Sequence, residues 1–301
     1  MTMIMNMRIT TVFLTLAAAV LAAGSCGKDG VDSKGQKFSG DKDIISLKTA
    51  TTTFTTAKVS FDILKGPDGH DDASLEYLKI YLGQDSKPVS NEFYDKNVSV
   101  SGRSYSDILL TCLLPGTKYQ YSVIAKFEGT DREFKVTGEF KTKDAPTMED
   151  KNGNKHPYMD LGYTHGSYDN GLWALYDVGS TTVGKGGDKV SSDAAATRTY
   201  AETKWGSNWE TPSMTMFDDL WSNTTRYGKV KINDGIEGIF FVSKKNNESI
   251  FMHTGVDYVS SYNVSSSNVY CYYYATSNSY NATETTPSGI RVRAKPARNL
   301  N

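Results

Sequence analysis

The chain contains three cysteines, and only the first lies in a pattern that predicts a reaction. Arg8 precedes an apolar run from Ile9 to Ala23, which is too short to span a bilayer and leads through Gly24 and Ser25 into Cys26. A lipoprotein signal peptidase requires small residues before a cysteine whose sulfur is acylated. We therefore expect residues 1–25 to be a lipoprotein signal peptide and Cys26 to be the acylated mature amino terminus. An ordinary signal peptide with a chance cysteine is the alternative.

The lipid on Cys26 would hold the protein to a membrane, because several acyl chains together give stable anchoring. Residues 26–44 are rich in glycine, serine, lysine and aspartate and show no apolar period. This composition predicts a flexible tether between the anchor and the folded part.

The other two cysteines, Cys112 and Cys271, lie far apart in the sequence and form neither a disulfide framework nor a metal-binding pair. We expect two separate buried thiols. A disulfide between them stays open as an alternative, because it depends on a distance that the sequence does not show.

Metal, phosphate and nucleic-acid chemistry all lack a supporting pattern. His156, His165 and His253 are not spaced as metal ligands, and the glycine-rich residues 184–188 lack the spacing of a phosphate-binding loop. The 301 residues carry a formal net charge of −1, which provides no basic field for a phosphate backbone. The sequence predicts no metal, no cofactor and no nucleic-acid partner.

The segment 258–281 combines tyrosine with serine and asparagine, as antibody binding loops do. Tyrosine provides amphipathic contact area at low entropic cost, and its ring also stacks on sugars. The candidate ligand-binding residues are Tyr258, Tyr262, Tyr270, Tyr272, Tyr273, Tyr274 and Tyr280. Edge strands with polar turns are the alternative interpretation, and the composition does not choose between a glycan and a protein ligand.

Residues 45–143 have the alternation of a β-sandwich. Apolar residues at 57, 59, 61 and 63 alternate with polar ones, and Leu113–Tyr119 reads L-L-P-G-T-K-Y. This motif resembles the corner of fibronectin type III domains, in which the tyrosine hydroxyl, here that of Tyr119, satisfies backbone groups. The resemblance implies an immunoglobulin-like sandwich that acts as a spacer or, alternatively, as a ligand-binding module. Residues 144–157 follow as a polar linker, so we expect relative motion between the two halves.

The second half, residues 158–297, gathers its large aromatic side chains around one predicted helix. Ser213 can cap this helix, and Phe217, Leu220 and Trp221 recur at helical spacing. The residues expected to anchor the core here are Trp173, Trp205, Trp209, Phe217 and Trp221.

Four separated motifs in this half resemble the Fibrobacter succinogenes major paralogous domain, which is common in surface lipoproteins of Bacteroidota and similar to C-type lectin-like folds. They are W-G-S-N-W-E-T-P-S at 205–213, D-L-G with G-L-W-A and D-V-G at 160–179, the segment 235–252, and I-R-V-R-A-K-P at 290–296. The sequence departs from the family pattern at Glu210 and Thr211, and Met216 replaces a capping-box glutamate.

Together these resemblances imply a mostly β protein: a β-sandwich followed by an α+β C-type lectin-like domain. The anchor and the family imply a lipid-anchored binding protein or adhesin of the bacterial cell envelope, in the outer membrane and exposed at the surface. A structural envelope or pilus-associated subunit is the alternative. An enzyme related to formylglycine-generating enzymes is a remote one, because those enzymes use paired cysteines and Cys271 stands alone in its half.

Overall fold

We describe the protein from a computed structural model. It describes residues 40–67, 73–84, 87–88, 95–183, 185–190, 193–232, 236–261 and 267–298. Within these residues the chain is mostly β, with several antiparallel sheets and short helices. None of the described helices is long and apolar enough to cross a membrane. The proposed signal peptide and Cys26 lie outside the described residues.

The first half is a β-sandwich. Its elements are α1 (Asp41–Ile44), β1 (Ile45–Leu47), β2 (Thr51–Thr52), β3 (Ala57–Ile63), β4 (Leu75–Gln84), β5 (Lys87–Pro88), β6 (Asp95–Asn97), β7 (Ser104–Leu110), β8 (Lys118–Phe127) and β9 (Glu133–Lys141). One sheet has the order β1-β3-β2 with β7 also paired to β3, and the other has the order β5-β4-β8-β9 with β6 also paired to β4. Inward residues of both sheets share one apolar core, which includes Phe61, Ile80 and Val123.

Tyr119 fixes the bend that enters β8. Its ring is fully buried and stacks on Phe140 with the centroids 5.5 Å apart. Its hydroxyl accepts a hydrogen bond of 2.8 Å from the backbone N–H of Leu114. A buried N–H without a partner would cost about 1–3 kcal/mol, so this bond stabilises the bend directly.

The second half contains the remaining elements. They are β10 (Thr147–Glu149), β11 (Lys155–Asp160), β12 (Leu172–Ala174), α2 (Ala194–Arg198), α3 (Tyr200–Trp205), β13 (Trp209–Glu210), α4 (Met214–Asn223), β14 (Thr224–Ile232), β15 (Ile236–Ser243), β16 (Ser249–His253), β17 (Asp257–Ser260), β18 (Val269–Thr276), β19 (Ser279–Thr285) and β20 (Lys295–Pro296). They form the sheets β10-β11-β12, β13-β20, β14-β15-β16 and β17-β18-β19.

The expected tether and linker are both shorter than the sequence indicated. Residues 41–44 form α1, and Ile44 is fully buried in the sandwich core. Much of the segment 144–157 forms an antiparallel hairpin in which Met148 pairs with His156. Its polar residues close the turn, since the carboxylate of Asp150 accepts hydrogen bonds from the backbone N–H groups of Asn152 and Asn154. The polarity thus reflects turn chemistry rather than a linker.

The two halves pack against each other. The carboxylate of Glu248 accepts hydrogen bonds from the backbone N–H and the hydroxyl of Thr55, at 2.9 and 2.6 Å. Cys112 and Leu114 of the first half share an apolar cluster with residues of β14, β15 and β16, including Phe240 and Phe251. This buried contact replaces the expected freely moving arrangement, because separating the halves would expose both the cluster and the carboxylate.

Helix α4 begins at the expected cap. The Ser213 hydroxyl accepts from the backbone N–H of Met216, and the Met216 thioether accepts from the backbone N–H of Ser213. Met216 therefore makes the reciprocal hydrogen bond that a glutamate makes in a capping box. Phe217 is fully buried, but Trp221 is only half-buried, so it differs from the core anchor that the spacing predicted. Trp173, Trp205 and Trp209 are buried.

Candidate functional site

The candidate tyrosines divide into two groups by burial. Tyr258, Tyr272 and Tyr274 are almost completely buried, whereas Tyr270, Tyr273 and Tyr280 are half-buried. Tyr262 lies outside the described residues. A ring that is covered on all sides cannot contact a ligand, so the structure removes the first three from the ligand-binding hypothesis.

Five of these residues form a tyrosine ladder, which we define as Tyr258, Tyr270, Tyr272, Tyr274 and Tyr280. The pairing of Tyr272 with Tyr258 and of Tyr274 with Tyr280 places them on one face of the sheet β17-β18-β19. Helix α4 covers that face, and Phe217 stacks on Tyr272 with the centroids 4.6 Å apart. The hydroxyls of Tyr272 and Tyr280 donate to the same Asp218 carboxylate oxygen at 3.0 and 3.3 Å. The ladder therefore holds α4 to the sheet.

Tyr280, at the less buried end of the tyrosine ladder, also packs against neighbouring side chains. The Trp221 ring lies 4.5 Å from the Tyr280 ring, and the Arg226 guanidinium lies 4.0 Å from the centroid of Trp221. Arg226 is fixed in place by hydrogen bonds to the carbonyl oxygens of Trp221 and Ser277. A sugar ring would have to displace this cation–π contact before it could stack on Trp221.

Tyr273 stands apart because it points to the opposite face of β18. There it lines a cavity of about 520 Å³, which we call the Tyr273 cavity. The cavity is lined by Lys231, Ile236, Glu237, His253, Thr254, Gly255, Val256, Tyr273 and Ala275. Because its volume lies in the range of small-molecule sites and it places a half-buried aromatic ring beside several polar groups, this cavity is the candidate ligand site.

The polar groups of the Tyr273 cavity come from two neighbouring hairpins. Lys231 and Glu237 are cross-strand partners on β14 and β15, and the Thr254 hydroxyl lies 3.4 Å from a carboxylate oxygen of Glu237. The cavity thus combines an ammonium, a carboxylate and a hydroxyl with an aromatic ring. Sequence reasoning missed these residues, although the turn residues between positions 232 and 236 predict the hairpin that pairs Lys231 with Glu237.

His253 forms one wall of the cavity and connects it to a buried ionic network. Arg293 and Asp177, each at most 1% exposed, form an ion pair of 2.9 Å, and His253 Nε2 lies 3.7 Å from the second oxygen of Asp177. Arg293 also donates to the carbonyl oxygens of Ala174 and Phe251. Neither carboxylate oxygen of Asp177 accepts a hydrogen bond among the described residues, so the ion pair with Arg293 balances this buried charge and holds together the strands that meet behind the cavity.

His253 makes the stability of this half depend on pH. Burial lowers the pKa of His253, the neighbouring Arg293 and Arg291 lower it further, and Asp177 opposes them. The unfolded state, with an ordinary pKa of about 6.5, therefore binds the proton more readily than the folded state. The stabilisation is complete above about pH 6.5 and is lost as the pH falls below it, with a slope of at most about 1.4 kcal/mol per pH unit.

We expect a His253→Gln variant to lose part of the decline in unfolding free energy that the wild type shows between about pH 6.5 and 5. Urea denaturation at several pH values measures this difference. His165→Gln is the matched control, because His165 is 61% exposed. Identical pH profiles for wild type and His253→Gln would contradict this assignment.

The two thiols expected from the sequence lie inside the protein. Cys112 and Cys271 are buried and are not joined in a disulfide, and burial raises the pKa of each thiol to about 12. Among the described residues there is no group of three or more histidine, cysteine, aspartate or glutamate side chains that could hold a metal ion.

Comparison with known proteins gives only distant likenesses. No family model matches the chain, and no curated protein matches it. The sensor domain of the anti-sigma factor RsgI4 of Pseudobacteroides cellulosolvens is 21% identical, with 33% of this chain and 93% of that chain covered at a TM-score of 0.24. A computationally redesigned β-sandwich protein is 20% identical, with 33% and 92% covered at a TM-score of 0.24.

Proposed function

We propose that this chain is a lipid-anchored binding protein of the bacterial cell envelope, an adhesin that takes a glycan or protein ligand at the Tyr273 cavity. The anchor is Cys26, the membrane is the outer membrane, and the β-sandwich is a spacer that holds the second half away from the lipid. The observation that carries the ligand site is the half-buried Tyr273 ring in a cavity with Lys231, Glu237 and Thr254.

Two finer fold assignments belong to this proposal. For a fibronectin type III-like first half, the support is the pairing of β3 with β1 and β7, the order β4-β8-β9, and the Tyr119 corner. For a C-type lectin-like second half, the support is that Trp173 and Trp209, both from the family-like motifs, are fully buried.

A structural envelope or pilus-associated subunit is the second candidate. The packing of the tyrosine ladder against α4 favours it, because the tyrosine-rich composition then serves the core rather than a ligand. An enzyme of the formylglycine-generating type is disfavoured, since the buried Cys271 thiol has a pKa of about 12 and is a poor nucleophile near neutral pH.

The proposal predicts that Tyr273→Ser weakens ligand binding about tenfold, because a single aromatic anchor in a binding site is worth at least about 1.4 kcal/mol. Residues 27–301, which include every described residue, would be probed on a glycan and host-protein array. The affinity of each variant for the ligands found there would then be measured by calorimetry.

Tyr168→Ser is the matched control, because Tyr168 is 54% exposed and lies outside the cavity. It should bind like the wild type, and both variants should unfold at the same urea concentration as the wild type within error. If Tyr273→Ser retains full affinity while Tyr280→Ser loses it, the ligand lies on the tyrosine ladder. If neither change weakens binding, the result favours the structural-subunit function over the adhesin function.

A further inference from the structure

A second cavity, the junction cleft, lies where the two halves of the protein meet. Its volume is about 420 Å³, within the range of small-molecule sites. It is lined by Leu114, Pro115, Gly116, Thr117, Asp144 and Ala145 on one side and by Pro157, Leu175, Tyr176, Thr181, Thr182 and Val183 on the other. The apolar members of this set can accommodate an aliphatic chain.

The hydroxyl of Tyr176 in this cleft is held by a buried relay. Asp150 Oδ2 lies 3.1 Å from His156 Nε2, and His156 Nδ1 lies 3.3 Å from the Tyr176 hydroxyl oxygen. Desolvation opposes the charge of Asp150, but hydrogen bonds from Asn154, His156 and the backbone keep its pKa well below the ordinary value. Whichever of its ring nitrogens carries a proton, His156 occupies one hydrogen-bonding position of the Tyr176 hydroxyl and leaves its oxygen at least one lone pair.

The Tyr176 oxygen can therefore accept a hydrogen bond from a ligand. The Thr117 hydroxyl is in the same state, because its proton is donated to the carbonyl oxygen of Pro115 at 2.9 Å. Asp144 adds a carboxylate whose side chain is 82% exposed. Its contact with Lys141, at 3.5 Å and with both side chains exposed, is weak enough for a ligand to replace.

The cleft thus presents hydrogen-bond acceptors beside an apolar wall. Among the described residues, its lining contains a carboxylate and neither lysine nor arginine. An anionic ligand would meet the Asp144 carboxylate, whose cationic neighbour Lys141 lies outside the cleft lining, and a neutral alcohol would satisfy fewer of the acceptors. A primary ammonium group supplies three donors and a positive charge.

We propose that the junction cleft binds a primary ammonium group carried on a short aliphatic chain. The ammonium lies against Asp144, Tyr176 and Thr117, and the chain lies against Leu114, Leu175 and Val183. Such a group occurs on free alkyl amines and on lysine side chains of other proteins. This site is separate from the Tyr273 cavity and does not depend on the function proposed for that cavity.

The test compares three probes of equal chain length, n-hexylamine, 1-hexanol and hexanoate, on residues 27–301. Affinities would be measured from the methyl NMR signals of Leu114, Leu175 and Val183, which report on the cleft itself. We expect n-hexylamine to bind about tenfold more tightly than 1-hexanol, since charge-assisted hydrogen bonds are the stronger ones, and hexanoate to bind most weakly.

Asp144→Asn should weaken n-hexylamine binding about fivefold and leave 1-hexanol unchanged. Because Asp144 is exposed, this change should not disturb folding, and Asp131→Asn, in the β8–β9 turn, is a control with the same change of net charge. Nα-acetyl-lysine N-methylamide distinguishes the two sources: equal affinity to n-hexylamine assigns the site to protein lysines, and weaker affinity assigns it to free amines. The proposal is overturned if hexanoate binds as tightly as n-hexylamine, if the methyl signals do not move, or if Asp144→Asn leaves the affinity for n-hexylamine unchanged.

Discussion

Replacing Arg293 with methionine is expected to lower the free energy of unfolding by about 3–5 kcal/mol. The change keeps most of the side-chain volume but leaves Asp177, which is 0% exposed, without its cationic partner. It also removes the donors to the carbonyl oxygens of Ala174 and Phe251, which lie on β12 and β16. The loss should appear as a lower urea midpoint.

The double variant Arg293→Met with Asp177→Leu is the control that separates the effect of the unpaired Asp177 charge from the effect of the lost hydrogen bonds to the carbonyl oxygens. Removing both charges should recover much of the lost stability, because well-packed apolar residues often replace a buried ion pair at little cost. If the double variant is less stable than Arg293→Met alone, the Asp177 carboxylate contributes through His253 rather than through the ion pair with Arg293. A single variant as stable as the wild type would contradict the role assigned to Arg293.

The strands of the first half were predictable because their signals are local. Residues 57–63 alternate in polarity, and β3 buries Ala57, Val59, Phe61 and Ile63 as that period requires. Local composition was misleading where turn residues resemble linker residues. The polar run around Asp150 closes a hairpin, and the pairing of Met148 with His156 across it distinguishes this from a flexible connection.

The candidate site depended on contacts that no local pattern contains. Alternation along β18 implied that Tyr272, Tyr273 and Tyr274 could not all face inward, and in the structure Tyr273 alone points to the opposite side. Which face would be covered was decided by α4, more than 40 residues earlier in the chain. The ionic network behind the cavity joins Asp177 to Arg293 across 116 positions in the same way, and the spacing of ionisable residues does not predict such a pair.

The last prediction concerns the two tryptophans that the sequence treated alike. Trp209→Ala should cost about 3–5 kcal/mol, the usual range for a buried aromatic side chain. Trp209 is fully buried, packs edge-on against Trp205 with the centroids 4.9 Å apart, and donates its indole N–H to the carbonyl oxygen of Glu149. Its removal therefore leaves a cavity and takes one hydrogen bond from the hairpin of β10 and β11.

Trp221→Ala should cost less, about 1–2 kcal/mol, because Trp221 is half-buried and packs on the core only from its edge. Its loss removes a cation–π contact with Arg226 and one side of the tyrosine ladder. Chemical denaturation of both variants, with equal denaturant dependence as the check on two-state behaviour, gives the two values directly. The decisive result is which of the two variants loses more free energy of unfolding. A Trp221→Ala variant that is less stable than Trp209→Ala would show that α4 contributes more to the stability of this half than the contact of β13 with the β10–β11 hairpin does.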